Sequence, residues 1–389
     1  MKICSIITEY NPFHAGHAYQ IAQIRQKHPD IAIAAVMSGC YVQRGAPALW
    51  DKYERAAFAV QAGGPDLILE LPIQAALSSA EGFARGGIQL IHAMGCTTHL
   101  SFGCECGTAA SLMQLAACMD TADFQQLLSQ HMQTGISYAQ AASLAAQQLC
   151  PTAAELLDSP NDTLAVQYCR AIREFAPSIQ PIAIRRKGAA HDSTPEDGIP
   201  SASYIRNTFA VQPDEAFSLI PESYREHCRA VRRHSWSDME AAVLPYLRRL
   251  TPEDIAALPN VSEGLEHRFH TSCQSAASLD ALWEQARSRR YPLSRIRRLT
   301  MCAYLGLTQE IADLPPAFIT VLAANARGRT ILKHMRTVSS LPVIVKPTQA
   351  RQLTGTAKRL WDFTVLADSL YHAPEPAGLD WKRTPYIEK

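Results

Sequence analysis

The chain has 389 residues, 47% of them hydrophobic and 19% charged, with a net charge of +1. That composition is of a folded globular protein of two or three domains; the near-neutral balance excludes a uniformly basic nucleic-acid coat but leaves room for a local basic patch. No apolar run is long enough to span a bilayer, Lys2 leads into a strand and not into the apolar stretch of a signal peptide, and the 11 cysteines are scattered, so a cytoplasmic protein without membrane contact is expected.

Residues 3–7 read as a buried parallel strand and residues 19–26 as the helix that follows. Between them lies Glu9-Tyr10-Asn11-Pro12-Phe13-His14-Ala15-Gly16-His17. Pro12 fixes the chain before the turn, and Gly16 lets the backbone come close to a ligand. A lone histidine at a helix start is usually a cap or a surface residue. Two of them flanking a glycine, where a strand turns into a helix, point to phosphate, because unpaired N–H groups and the helix dipole favour an anion there. Protonated, or donating N–H, His14 and His17 would hold the charge that builds on a phosphate under attack.

A second strand, over 32–37, closes in Ser38-Gly39, and Gln43-Arg44-Gly45 follows in a loop. There Arg44 either contacts a phosphate or is simply exposed. Residues 53–61 read as a helix, 66–72 as a strand stopped by Pro72, 80–93 as a helix and 99–103 as a strand. Asp66 and Glu70 share one face of their strand, as a metal-holding pair or in a structural role. Cys104 and Cys106 lack a second close pair to complete a zinc site, so no protein-held metal is expected. Helices are expected over 109–148. Ser159-Pro160-Asn161-Asp162 opens another, with Asn161 as a nucleotide contact or a cap. Residues 182–184 are a fifth strand, followed by Arg185-Arg186-Lys187-Gly188, a phosphate-holding loop or a solvated basic one. In Ser201-Ala202-Ser203-Tyr204-Ile205-Arg206 the hydroxyls and the arginine suit a helix start that grips phosphates, or an ordinary serine cap.

Strands alternating with helices predict an α/β fold, a Rossmann-like doubly wound parallel sheet with its ligand at the carboxyl ends of the strands. After residue 215 strand signals fade, and helical periodicity runs over 239–250, 279–287 and 295–304 between proline-rich joints. The expected division is a nucleotide-binding domain over 1–215 and a mainly helical domain over 216–389. Within the latter Arg287, Arg289, Arg290, Arg295, Arg297 and Arg298 crowd together with no acid between them and Tyr291 among them. They read as an RNA-backbone patch with a ring for stacking, or as a solvated helix face.

The first motif, with Met37-Ser38-Gly39, Gln43-Arg44-Gly45, residues 66–72, Phe102-Gly103, Asn161-Asp162, Ser201-Ala202-Ser203 and Ser262-Glu263-Gly264-Leu265-Glu266, resembles the bacterial tRNA(Met) cytidine acetate ligase family. The resemblance runs to about residue 335, and Cys104 stands where that family usually has a small hydroxyl. It implies a nucleotidyltransferase-type fold that joins ATP and acetate into acetyl-adenylate and passes the acetyl group to N4 of the wobble cytidine of elongator tRNA(Met). Carried over by position, it implies His14 and His17 as catalytic residues. ATP would be bound by Ile7, Thr8, Glu9, Tyr10, Asn11, Pro12, Phe13, Gly16, Gln20, Gly103, Asn161, Arg186 and Lys187, with Ser201, Ser203 and Arg206 as the phosphate-gripping signature. Mg²⁺ is expected with the triphosphate and tRNA on the helical part. Two competing readings are a nucleotidyltransferase for a small cofactor precursor and a non-catalytic RNA-binding protein.

Overall fold

The apolar runs of the first half form one sheet: β1 (Ile3–Thr8), β2 (Ala32–Ser38), β3 (Leu67–Leu71), β4 (His99–Cys104) and β5 (Gln180–Arg185). All five are parallel, in the order β5-β4-β1-β2-β3. The computed structural model describes residues 1–187, 199–262, 264–375 and 383–388; Gly188, His191 and Glu263 lie outside the described residues. β1, β2 and β3 are buried along their whole length. Helices cover both faces, which is why these strands read as continuous apolar runs. Alternate residues serve the two layers. Ile3, Ile7, Val36 and Leu69 pack in one cluster, and Cys4, Ile6, Ala35 and Ile68 in the other.

The second half, where strand signals fade in the sequence, still adds strands to the sheet. β6 (Ile319–Ala324) pairs antiparallel with β3, and two short strands, β7 (Val343–Ile344) and β8 (Tyr386–Ile387), pair with β6. The sheet is therefore mixed at this edge, with eight strands among the described residues. The remaining C-terminal chain is mainly helical and builds its own core from Met239, Phe269, Trp283, Leu299 and Leu305, which reaches Tyr41, Ile73 and Leu77 of the first half.

The helices nearest the nucleotide motif are α1 (Ala15–Lys27) and α2 (Lys52–Gln61). Asp51 caps α2 by accepting from Tyr53 N at 2.7 Å. The helix Ala80–Met94 packs beside Pro160–Phe175, and the arginine-bearing helix runs over Leu293–Leu305.

Candidate active site

β1 and β4 pair only at Cys4–His99 and Ser5–Leu100. Beyond Ser5 they part, where the strand order turns from β1-β2-β3 on one side to β4-β5 on the other. A cleft lies between their carboxyl ends, the place a doubly wound sheet offers a ligand. Ile7, Thr8, His14, Gly16, His17 and Gln20 line it from one side; Gly103, Asn161, Arg186, Lys187 and Ser201 line it from the other.

The turn between β1 and α1 is held from behind. Tyr10 takes a φ of 41° and is 1% exposed, and the Asn11–Pro12 peptide is cis. Asn11 Oδ1 accepts from Leu49 N at 2.8 Å, Asn11 O from Arg206 Nη1 at 2.6 Å and Phe13 O from the Tyr224 hydroxyl at 2.6 Å. Glu9 Oε1 accepts from Gln43 N at 2.8 Å. Glu9, Tyr10, Asn11, Pro12, Phe13, Ser203 and Arg206 thus build the turn and its support, and the cleft wall is made by their neighbours. Ser203 Oγ lies 3.2 Å from Ser201 Oγ, behind the serine that faces the cleft.

The two histidines cap α1 reciprocally. His14 Nδ1 accepts from Gly16 N at 3.0 Å, and His17 Nδ1 accepts from His14 N at 3.3 Å. The ring centroids are 4.0 Å apart. Burial first, then Arg186 and Arg206, pushes His14 down to about 3. Burial, His14 and Arg186 hold His17 well below its ordinary value. Both rings are therefore neutral near pH 7. With Nδ1 accepting, the hydrogen-bond network assigns the proton of each ring to Nε2. This revises the expected use of bare helix N–H groups: the imidazoles take up two of them and leave their own Nε2–H to donate.

The opposite wall is fixed by one carboxylate to which the sequence reading gave no role. Asp162 is fully buried and accepts from Glu105 N at 2.8 Å, Cys106 N at 3.1 Å and Cys106 Sγ at 2.9 Å. Beside it, Asn161 Nδ2 donates to Glu105 Oε1 at 2.6 Å. At Gly103 a Cβ would stand 3.2 Å from Arg186 Cγ, so glycine leaves the room in which Arg186 crosses the end of β4. Burial lowers Arg186 from its ordinary value, with Glu105 opposing. Lys187 Nζ sits 5.1 Å from the centre of the Tyr19 ring, and Gln20 Nε2 donates to Ser101 Oγ at 3.2 Å. Burial raises the Cys104 thiol to about 11, and the Asp162 hydrogen bond does the same for Cys106. Neither is a thiolate ligand near neutral pH.

A second omission is Arg55, 1% exposed, whose guanidinium donates to Trp50 O and Ser38 O at 2.9 Å each and to Glu9 O and Gly39 O. It ties the ends of β1 and β2 together. The metal option for Asp66 and Glu70 falls away. Asp66 accepts from Ile33 N at 2.8 Å and Asn325 Nδ2 at 3.0 Å, and Glu70 pairs with Lys52 at 2.7 Å.

The arginine stretch divides. Arg289 is exposed, and Arg287 pairs with Glu284 at 2.9 Å. Arg295 lies 4.9 Å from the Tyr291 ring and Arg297 lies 4.5 Å from that of Trp283. Tyr291 is 7% exposed, with its hydroxyl donating to Ser262 O at 3.2 Å. The expected stacking ring is thus a core residue.

A sequence model of the HIGH Nucleotidyl Transferase family matches residues 1–382, well past the point to which the motifs alone extend. The tRNA(Met) cytidine acetate ligase of Alkaliphilus metalliredigens is 34% identical across 100% of this chain and 99% of its own length. The chain belongs to the tRNA(Met) cytidine acetate ligase family of HIGH nucleotidyltransferases. The ligase of Clostridium kluyveri is likewise 34% identical, over 89% of this chain and 90% of its own. Two crystal structures of Thermotoga maritima TmcAL match over the full length of both chains. The apo form matches with a TM-score of 0.93 at 27% identity, and the form bound with alpha-thio ATP with 0.90 at 26%. Among the described residues no helix is long and apolar enough to cross a membrane.

Proposed function

We propose that this chain is an ATP-dependent tRNA(Met) cytidine acetate ligase that works through acetyl-adenylate. The names of its relatives and the ATP-analogue complex of its structural neighbour support the reaction class. The observation that carries the chemistry is the pair of neutral, Nε2-protonated imidazoles at the switch point of the sheet.

In the first step an acetate oxygen attacks the α-phosphorus of ATP. The new P–O bond forms as the bond to pyrophosphate breaks. Charge building on the α-phosphate oxygens is met by the Nε2–H groups of His14 and His17, which are already in place. Arg186 and Lys187, across the cleft, supply positive charge for the polyphosphate. Among the described residues no carboxylate lines the cleft. The described lining therefore holds no carboxylate for Mg²⁺; the ion would be held by triphosphate oxygens and water, and no step is assigned to it. In the second step N4 of the cytidine attacks the acetyl carbonyl. The C–N bond forms, the bond to the AMP oxygen breaks, and N4 loses a proton. A splayed anticodon base reaches such a cleft more readily than a stacked one. The arginine-bearing segment around Arg289, Arg290, Arg295, Arg297 and Arg298 is the proposed tRNA-binding face.

The test is acetate-dependent exchange of labelled pyrophosphate into ATP, with mass spectrometry of N4-acetylcytidine in tRNA incubated with acetate and ATP. The wild type is expected to show both. His17→Ala is expected to lower exchange by roughly 10²–10³-fold, the scale of one lost oxyanion donor, while tRNA binding persists. Exchange without acetate dependence would favour a small-molecule nucleotidyltransferase, and tRNA binding without exchange a non-catalytic RNA-binding protein.

A further inference from the structure

The carboxyl end of β2, the start of α2 and the chain's last long helix, Gly355–His372, meet at one buried point. Cys40, Asp51 and His372 bring a thiol, a carboxylate and an imidazole to it, each at most 4% exposed. His372 Nε2 lies 2.9 Å from Asp51 Oδ2, and Cys40 Sγ lies 3.9 Å from the same oxygen. The three donor atoms all stand within 4.8 Å of one another. Around a tetrahedral Zn²⁺ ion such donors sit about 3.3–3.6 Å apart, and the two observed distances bracket that spacing. The sequence reading expects no protein-held metal; it could not assemble this set, whose members come from opposite ends of the chain.

The hydrogen-bond arithmetic at His372 calls for a cation. Its Nδ1 lies 2.6 Å from Glu375 Oε1, so carboxylates face both ring nitrogens. A neutral imidazole has a single N–H. With that N–H donating to Glu375, Nε2 turns a lone pair toward the lone pairs of Asp51, and a positive charge must stand between them. A proton can do so, and so can a metal ion. Three features favour the metal. The Cys40 thiol is directed at the same oxygen, where an imidazolium needs no third group. Glu375 stands where a carboxylate orients a metal-bound histidine and fixes its tautomer, and it is itself held by accepting from His234 Nε2 at 3.0 Å. Asp51 Oδ1 is occupied by Tyr53 N and Arg383 Nη1 at 2.7 Å each, which leaves Oδ2 to face the thiol and the imidazole. The neighbouring cations have acids of their own: Lys52 pairs with Glu70 and Asp368, and Arg383 also pairs with Glu54. A cavity lined by Asp51, Lys52, Asp368, His372 and Arg383 opens beside the cluster and gives an ion a way in.

We infer that Cys40, Asp51 and His372 bind one Zn²⁺ ion, with a water from the adjoining cavity as the fourth ligand and Glu375 orienting the imidazole. The ion displaces the thiol proton and the proton on Nε2. Two protons leave as two positive charges arrive, so the local charge is unchanged. The ion pins the start of α2, whose Arg55 ties the ends of β1 and β2, to the helix that returns from the C-terminal half. The site does not depend on which reaction the cleft performs.

The test strips the full chain with EDTA under reducing conditions and titrates it with Co²⁺ as a spectroscopic probe, then with Zn²⁺. The wild type is expected to take up one Co²⁺ with a thiolate-to-metal charge-transfer band, to lose the band as Zn²⁺ displaces it, and to show a higher Tm with Zn²⁺ than in EDTA. Cys40→Ser is expected to lose the band and the Zn²⁺-dependent rise while keeping the wild-type Tm in EDTA. Cys106→Ser, at the exposed thiol, is expected to keep both. Glu375→Gln, which leaves all three ligands in place, is expected to keep the band and to weaken Co²⁺ affinity by roughly 10–100-fold, the cost of a lost orienting partner. A wild type without the band, a band that survives in Cys40→Ser, or a wild-type Tm that Zn²⁺ does not move would each overturn the inference. So would wild-type affinity in Glu375→Gln, since the imidazole that Glu375 orients would then not be a ligand.

Discussion

In the proposed mechanism His14 and His17 act as neutral donors, and that has a pH signature. A site that needed imidazolium would lose activity as pH rises through the ordinary histidine range. Here kcat/KM for ATP in the exchange reaction, which reports the free enzyme, is expected to stay level from about pH 6.5 to about 8. A falling limb in that interval would mean that a protonated ring is required. The stability effect has the same origin. His14 binds its proton less tightly folded, at about 3, than at its ordinary 6.5, so the unfolded chain takes up more protons between those values. The contribution is complete above the ordinary value and is lost as pH falls through the window. Thermal unfolding followed from neutral to acid pH is expected to show a shallower decline in His14→Gln. The two residue types and their spacing were legible in the sequence, and so was their place between strand and helix. Their capping role was not, because it depends on which ring nitrogen meets which N–H.

At the scale of elements, the cleft depends on a loop after β4 that has little packing of its own. Asp162 holds it through two backbone N–H groups and one thiol. Asp162→Ala keeps the helix Pro160–Phe175 but leaves those donors without their acceptor. KM for ATP is expected to rise by roughly tenfold, since hydrogen bonds to a charged group are worth about 1.5–3 kcal/mol. An unchanged KM in exchange kinetics would show that the loop holds its shape unaided. The strands of the first half were read from apolar runs with turn residues at their ends, and the structure places all five where they were expected, within a residue or two. β6 was missed. Ile319–Ala324 is short and apolar but for Thr320, and periodicity cannot tell such a run from a buried helical turn. Its partner, β3, lies far away in sequence, so nothing local announced the pairing. Arg55 was missed, and Asp162 was named in a motif without a role, for a related reason, since a buried charge bonded to backbone groups looks in sequence like any surface charge on a helix.

At the scale of the whole molecule, the two halves are joined by a buried network where the chain's last long helix, Gly355–His372, returns to the sheet. Lys52 Nζ pairs with Glu70 and with Asp368 at 2.7 Å each, with the lysine only 4% exposed. Burial opposes its charge, but Asp368 and Glu70 outweigh that and hold the ammonium well above its ordinary value. Tyr41 OH donates to Ala367 O at 3.0 Å and Tyr371 OH to Ala48 O at 2.8 Å, and His372 meets Asp51 at 2.9 Å. Motifs could not show this join, because its members come from opposite ends of the chain. It bears on the reaction because α2, which starts at Lys52, also carries the arginine that ties the ends of β1 and β2. Lys52→Met removes the cation and strands two carboxylates, one of them deep in the interior. A loss of about 3–5 kcal/mol is expected from urea unfolding, the cost of breaking a buried pair from one side. Adding Glu70→Leu to that variant removes the deeper stranded charge and is expected to recover most of the loss, because Asp368 is 16% exposed and can reach water. If Lys52→Met unfolds at the wild-type urea midpoint, the network does not hold the halves together. If the double variant is no better than the single, the cost lies in packing around the lysine and not in stranded charge.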